Sequence, residues 1–187
     1  MALNKAEKPE DTFRSNHISS PEIEFRVPLA TDGLAINRLI ADSPPLDTNS
    51  LYCNLLQCSY FSDTCLIAEL NGKLAGFVSG FLAPNKSGTL FLWQMVVDKS
   101  ARGRGLALQM ICELLSRPSL KAVSFIETTV NPSNKASSAV FEKFAQQAQA
   151  QIDRSALFEK NSHFGGDHED EVLLRIGPFF SRRFTSL

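Results

Sequence analysis

A buried strand, a glycine turn and a helix follow one another in the middle of this sequence. The apolar run "LFLWQMVV" leads directly into "DKSARGRGLALQM", where two arginines alternate with two glycines at positions 102–105. Apolar residues then recur at helical spacing, at Leu106, Met110, Ile111, Leu114 and Leu115. A strand that turns through glycines into a helix is typical of an α/β protein.

Two common glycine motifs do not fit this loop. A P-loop requires Lys and Ser or Thr after its last glycine, whereas Leu106 and Ala107 follow Gly105. A dinucleotide-binding fingerprint requires a third glycine at position 108, which is Leu108. The loop is therefore either a plain turn with exposed arginines or a cradle for a phosphate group.

The cradle has a physical basis. Gly103 and Gly105 allow successive backbone N–H groups to converge without interference from a Cβ atom. The helix that follows adds unpaired amides and the positive end of its dipole. Arg102 and Arg104 supply positive charge. These features predict a phosphate site without identifying the phosphate compound.

The remaining patterns predict a mixed α/β sheet flanked by helices, in the order β-α-α-β-β-β-α-β-α-β. Thr31 or Asp32 can cap the first helix, and Asn71-Gly72 favours a type I′ hairpin turn. The nearly unbroken apolar segment "AVSFIETTV" is expected at the centre of the sheet. Strands are predicted in "IEFRVPL", "TCLIAEL", "KLAGFVSGFLA", "GTLFLWQMVV", "AVSFIETTV" and "EVLLRI", and helices from Leu34, in "TNSLYCNLLQCSYF", at 102–116 and at 133–148.

Length and charge limit the class of protein. The 187 residues favour one domain, expected at 21–178, with a disordered tail at 1–20 and a C-terminal tail at 179–187. A net charge of −1 argues against a general nucleic-acid binder. With no signal-like segment, no membrane-length apolar run and no CxxC pair, we expect a cytoplasmic protein without a membrane partner.

The loop and its surroundings resemble the GCN5-related N-acetyltransferases. Arg102, Gly105 and Ala107 match the Arg-x-x-Gly-x-Ala motif of that family, and the likeness extends over residues 22–178. The resemblance implies a twisted mixed sheet and acetyl-CoA as co-substrate. It also implies that a bulge splays the strand before the loop. Met95 and Val97 would then lie along the pantetheine arm, and the loop amides would hold the pyrophosphate, at Arg102, Gly103, Arg104, Gly105, Leu106 and Ala107.

Two further positions bear on the resemblance. Asn134, in "NPSNKASSAVFEKF", matches an asparagine of the family that follows the next strand and serves the cofactor. Phe141 stands where the family commonly has a tyrosine that protonates the leaving thiolate. The usual general acid is therefore missing, so solvent or another group would have to protonate the thiolate. A non-catalytic CoA-binding module is the rival interpretation.

A narrower resemblance, to the diaminobutyrate acetyltransferases within that family, rests on four separated blocks. They are "SPPLDTNSLYCNLLQCSYFSDTC", "LFLWQMVVD", "ETTVNPSN" and "FGGDHEDEVLLRIGP". The resemblance implies acetylation of the γ-amine of L-2,4-diaminobutyrate in ectoine biosynthesis, a response to osmotic stress, by a cytoplasmic homodimer. Another small amine or a peptide remains the alternative acceptor.

Two residues are candidates for catalysis. Glu127 interrupts an apolar strand, where burial would raise the pKa of its carboxyl towards that of a useful base. Its alternative is a solvated or lysine-paired glutamate at the end of the strand. His168 follows the flexible "FGGD" and could relay a proton near neutral pH, unless it simply belongs to a solvated acidic loop.

The acceptor is expected to contact Asp47, Trp93, Thr129 and Glu169. Asp47 lies between the first two helices, although it could instead cap the second one. Trp93 could contact a cationic amine through its ring, or belong to the core. His163 and His168 have no third ligand at convincing spacing, so no metal is expected. No cysteine is placed as an acyl carrier, which favours direct transfer.

Overall fold

In the computed structural model, which describes residues 22–180 and residue 184, seven strands form one sheet in the order β1-β2-β3-β4-β5-β7-β6. The strands are β1 Ile23–Arg26, β2 Leu66–Leu70, β3 Lys73–Leu82, β4 Thr89–Val97, β5 Phe125–Val130, β6 Gln151–Phe158 and β7 Glu171–Gly177. The helices are α1 Gly33–Ala41, α2 Leu51–Ser59, α3 Leu106–Ser116, α4 Lys135–Ala148 and α5 Lys160–His163. Strands β4 and β5 pair in parallel, and the other neighbours are antiparallel. The predicted mixed α/β fold is confirmed.

Helices cover both faces of the sheet. Helices α3 and α4 enclose the larger hydrophobic cluster, where Met110 and Phe144 pack with Leu90 and Ile126 of the central strands. Helices α1 and α2 enclose a smaller cluster against the opposite face. Strand β5 lies between β4 and β7, as its apolar sequence predicted. Within the described residues, none of the helices combines the length and apolar character needed to cross a bilayer.

Local sequence signals account for most element boundaries. Asn71 and Gly72 both have positive φ, +51° and +71°, as the predicted type I′ turn requires. Helix α3 begins at Leu106 and not at 102, because Gly103 and Gly105 adopt left-handed φ angles that no helix contains. Neither Thr31 nor Asp32 caps α1 through its side chain, and Asp32 forms an ion pair with Arg26 instead.

The structure adds two features to what the sequence predicted for the C-terminal part. Strand β6 was not predicted, because most of its side chains are exposed and carry no periodic apolar face. The domain was expected to end at 178, but Phe179 and Phe184 are buried against Phe144, with ring centroids 5.5 Å from that ring in each case. The predicted tail at 1–20 lies outside the described residues.

Candidate active site

Strands β4 and β5 separate halfway along their length. Their parallel pairing ends at Leu92 opposite Thr128, although the two strands continue to Val97 and Val130. On the other side of β4, a register shift against β3 leaves Trp93 as an extra residue. The bulge expected from the family resemblance is therefore present, and it lies where the two strands part.

The bulge reverses which face of the sheet each side chain reaches. Leu92 belongs to the cluster under α3 and α4, whereas Val96 belongs to the cluster under α1 and α2. Met95 and Val97 pack towards α3 and α4. In an unbroken strand, Leu92 and Val96 would share one face, because side chains alternate with a period of two. The separated strands thus leave backbone groups of β4 beyond Leu92 unpaired with β5.

The space between the separated strands is a cleft of about 850 Å³, counting its open mouth. Three of the expected acceptor residues line it: Trp93 and Thr129 from opposite strands, and Asp47 from the segment between α1 and α2. Its walls are formed by Pro45, Leu46, Asp47, Asn49, Leu92, Trp93, Gln94, Met95, Thr128, Thr129, Val130, Asn131, Asn134, Ser137, Phe141 and Glu171.

The glycine loop begins where β4 ends. Gly103 has φ +77° and Gly105 has φ +74°, and a Cβ atom built on either would meet nothing within 4 Å. The loop therefore borders open space, and the first amides of α3, which follow Gly105 directly, have no partner within the helix. Backbone N–H groups and the positive end of a helix dipole suit a pyrophosphate. The residues present thus fit the phosphate end of coenzyme A.

Arg102 differs from the simple phosphate ligand that the sequence suggested. Its Nε donates to the Val97 carbonyl oxygen at 3.0 Å, and one terminal nitrogen lies 3.4 Å from the Ser43 hydroxyl oxygen. The side chain therefore ties the loop to the end of β4 and to the segment after α1. Arg104 is exposed, and no contact of the kind that Arg102 makes with Val97 and Ser43 holds its guanidinium among the described residues.

Helix α4 brings two predicted positions to the cleft. Asn134 caps the helix, with its Oδ1 accepting a hydrogen bond from the Ser137 N–H at 3.1 Å. Phe141, one of the lining residues, is 3% exposed. Its ring has no hydroxyl group, so this position supplies hydrophobic surface and no proton.

Three ionisable side chains meet beside the cleft, and we refer to Asp47, His168 and Glu171 as the Asp–His–Glu group. The His168 Nε2 atom lies 3.1 Å from Asp47 Oδ2, and one ligand atom from each of the three residues lies within 4.8 Å of the others. Asn131 Nδ2 donates to Glu171 Oε1 at 3.1 Å. Two carboxylates at such a spacing attract a cation, and a substrate ammonium is one.

His168 is held through both ring nitrogens. Its Nδ1 lies 2.8 Å from the Glu169 carbonyl oxygen, and this contact, followed by the hydrogen bond with Asp47, raises the pKa of His168 above its usual value of 6.5. Both partners favour the protonated ring. His168 therefore keeps its proton to a higher pH than a free imidazole would.

The carboxylates of the 167–171 segment have different places from those predicted. Glu169 is not among the residues that line the cleft, and its Oε2 accepts a hydrogen bond from the Ser133 N–H at 3.3 Å, so its contact with substrate stays a prediction. Glu171, which the sequence did not single out from the acidic stretch 167–171 expected near the acceptor, lines the cleft from the first position of β7. Its place directly before the apolar residues of "VLLRI" was the available signal.

The raised pKa on which the prediction of Glu127 as the base depended is wrong. The carboxylate is buried and is held by Lys86 Nζ at 2.9 Å and by Arg175 Nη1 at 2.6 Å. Burial alone would raise the pKa of Glu127, but the hydrogen bonds and charges of the two cations outweigh burial and lower it. Glu127 also lies outside the cleft lining, in a separate pocket with Lys86 and Leu173.

Two features define an N-acetyltransferase of the GCN5-related type. One is the pair of parallel strands that separate at a bulge, and the other is the open glycine loop at the start of the next helix. Residues 35–145 match the Acetyltransferase (GNAT) family, and the chain belongs to that family. Solved structures under 25% identical share this fold, such as Ard1 from Thermoplasma volcanium, with a TM-score of 0.66 at 15% identity, covering 83% of this chain and 97% of that one.

More similar relatives carry one enzyme name. L-2,4-diaminobutyric acid acetyltransferases of Methylotuvimicrobium alcaliphilum and Vibrio cholerae are each 46% identical, covering 85% and 81% of this chain and 92% and 88% of theirs. A diaminobutyrate acetyltransferase from Paenibacillus lautus, solved with L-2,4-diaminobutyric acid and coenzyme A, is 41% identical with a TM-score of 0.82. That match covers 86% of this chain and 98% of the solved one.

Proposed function

We propose that this enzyme transfers the acetyl group of acetyl-CoA to the γ-amine of L-2,4-diaminobutyrate, giving N-γ-acetyl-diaminobutyrate. The observation that carries the proposal is the combination, along β4, of an open phosphate cradle with a cleft that ends at two carboxylates. The relatives named for this reaction are similar over most of their length. Because the two carboxylates make the end of the cleft negatively charged, it suits an acceptor with two amines.

Acetyl-CoA would lie along the second half of β4. The amides of 102–107 would hold the pyrophosphate, Met95 and Val97 would follow the pantetheine arm, and Asn134 would face it from α4. Acetyl-CoA supplies an activated acetyl thioester. Backbone N–H groups of β4 beyond Leu92, which are unpaired with β5, are available to stabilise the oxyanion that forms at the thioester carbonyl.

Diaminobutyrate would enter from the side of the Asp–His–Glu group. Asp47 and Glu171 would hold its α-ammonium, and the ring of Trp93, which is 48% exposed, would face a cationic amine. Thr129 lies on the opposite strand and can hydrogen bond the substrate. With the α-ammonium held at the mouth, the γ-amine is the one directed into the cleft.

The γ-amine reacts only after it loses a proton. We assign the proton acceptor to Nε2 of neutral His168, acting through water once the α-ammonium has replaced His168 as the partner of Asp47. Glu127 is not assigned this role because it lies outside the cleft lining and is held as a carboxylate by two cations. The amine nitrogen then bonds to the thioester carbon and gives up its second proton to water, the C–S bond breaks, and the thiolate takes a proton from water because Phe141 has none to give. None of the residues lining the cleft is a cysteine, so transfer is direct.

The proposal is tested by thiol release with a panel of acceptors. Purified protein should release coenzyme A with diaminobutyrate, and release it far more slowly with lysine or with a peptide N-terminus. Peptide acetylation without diaminobutyrate acetylation would assign the chain to peptide acceptors. Coenzyme A binding without thiol release from any amine would identify a binding module.

Three wider proposals follow from the same assignment. The enzyme is a homodimer, supported by exposed apolar side chains on the strands at Leu82 and Phe158, which sedimentation velocity can test. It works in the cytoplasm, which is consistent with free thiols at all four cysteines, and cell fractionation tests this location. It serves ectoine synthesis under osmotic stress, so deletion of its gene should abolish growth in high salt.

A further inference from the structure

The loop that carries Asp47 is clamped to the bulged strand by one side-chain amide. In this loop, residues 42–50, the Asp47 carbonyl oxygen accepts a hydrogen bond from Gln94 Nε2 at 2.8 Å. Asn49 Nδ2 donates to Gln94 Oε1 at 2.9 Å. Gln94 follows the extra residue Trp93 directly, so the strand irregularity that opens the cleft also anchors the loop over it.

A second layer of amides supports the clamp from behind. Asn37, on α1, donates from its Nδ2 to the Asn49 carbonyl oxygen at 3.0 Å and to Asn54 Oδ1 at 2.8 Å. Asn54 in turn donates to Gln57 Oε1 at 2.9 Å. Gln94 and Asn54 each donate one hydrogen bond and accept another, so the chain of hydrogen bonds runs from α2 through α1 to the loop and then to Gln94. Connected polar networks of this kind hold a single arrangement.

The buried amides of the network lower the stability of the fold relative to apolar residues at the same positions. Asn54 and Gln57 are 0% and 1% exposed, and Gln57 Nε2 is buried without a hydrogen-bond partner among the described residues. Leucine at these two positions would remove that penalty. It would also remove the acceptor for Asn37, whose amide fixes the loop backbone at Asn49.

Asp47 needs such support because few contacts hold its own side chain in place. The carboxylate is 76% exposed, and its described side-chain contact is with His168. Burial therefore does not fix its position, and the loop backbone must. We infer that Gln94 is a positioning residue that sets the Asp47 carboxylate for the substrate ammonium, with Asn37 and Asn54 supporting it. The inference rests on the proposed function, in which Asp47 holds the α-ammonium.

The first experiment separates substrate binding from cofactor binding. Gln94→Met keeps the length of the side chain but removes both hydrogen bonds of the clamp. We expect the KM for diaminobutyrate to rise about 10-fold, with the KM for acetyl-CoA and kcat within about 2-fold of the wild type. Asn37→Leu, which changes a residue outside the cleft lining, should act in the same direction. Gln147→Met, which removes an amide near the far end of α4, is the matched control and should change neither KM.

A double-mutant cycle tests whether Gln94 acts through Asp47. If it does, Gln94→Met should add less than about 2-fold to the KM of Asp47→Asn, because the charge that it positions is already gone. Multiplicative effects, an unchanged KM in Gln94→Met, or an equal rise in the KM for acetyl-CoA would each overturn the inference. Wild-type protein inactive on diaminobutyrate would instead overturn the proposed function.

Discussion

Replacing Glu127 by Gln should lower stability and leave the pH dependence of catalysis unchanged. The Glu127 carboxylate is 3% exposed, and both of its oxygens lie 2.9 Å from Lys86 Nζ. Arg175, which contacts Oε1 at 2.6 Å, also stacks on the Phe125 ring with 3.9 Å between the guanidinium carbon and the ring centroid. The substitution leaves the two cations without their shared anion.

The cost follows from how far those cations can be rehydrated. Removing one partner of a fully buried ion pair costs about 3–5 kcal/mol. Here the side chains of Lys86 and Arg175 are 50% and 31% exposed, so water can replace part of the lost interaction. We therefore expect a loss of about 1–3 kcal/mol. For a domain of this size, such a loss lowers the Tm by about 3–10 °C.

The pH dependence of this stability has a definite sign. The pKa of Glu127 in the folded protein lies below its usual 4.5, so the ion pairs contribute fully near neutral pH. That contribution is lost as pH falls through the folded pKa. Wild type and Glu127→Gln should therefore differ most near pH 7 and converge at acidic pH.

Thermal unfolding and steady-state kinetics should be measured on the same samples. Glu142→Gln is the matched control, because Glu142 pairs with Arg154 at 3.1 Å on the surface, where the expected loss is below about 1 kcal/mol. Glu127→Gln should keep its kcat and the acid limb of its pH–rate profile. An unchanged Tm together with a reduced kcat and a displaced acid limb would refute this reasoning and restore Glu127 as the base.

Three further predictions concern the cofactor and the proton. Gly105→Glu should weaken coenzyme A binding about 10-fold or more in calorimetry, because the side chain strains a backbone at φ +74° and its charge repels the pyrophosphate. Gly72→Glu is the control, because it is equally strained at φ +71° but lies in a remote hairpin, and it should leave coenzyme A binding unchanged. Phe141→Tyr should leave kcat within about 3-fold, because solvent already protonates the thiolate; a gain of about 10-fold or more would contradict this. Because the pKa of His168 is raised above 6.5, kcat/KM should fall as pH drops through a value above 6.5, and His168→Gln should lose that limb. An unchanged limb would remove His168 as proton acceptor.

Local sequence signals predicted most of the fold. The Asn71-Gly72 turn and the apolar periods of α3 and α4 depend on neighbours within a few residues, and each formed near its predicted place. Strand β6 has no such signal, because it is an edge strand with exposed side chains on both faces. Its existence depends on pairing with β7, which a local pattern does not reveal.

The site was predictable only where the backbone itself forms it. The loop glycines identified the phosphate cradle because their conformation follows from residue type. The pKa shift of Glu127 was predicted in the wrong direction because its cations lie 41 and 48 residues away in sequence, so its burial was predictable but its ion pairs were not. Glu171 was not singled out because a run of acidic residues does not indicate which carboxylate the start of β7 directs into the cleft.

The most direct test of the account is the position of the acetyl group in the product. Protein incubated with diaminobutyrate and acetyl-CoA labelled with ¹³C at the carbonyl should give one product, examined by long-range ¹H–¹³C NMR correlation. We predict a correlation between the acetyl carbonyl and the γ-methylene protons, with label incorporated in step with thiol release. A correlation to the α-proton, or no labelled amide while diaminobutyrate is in excess, would contradict the proposed orientation of substrate in the β4–β5 cleft.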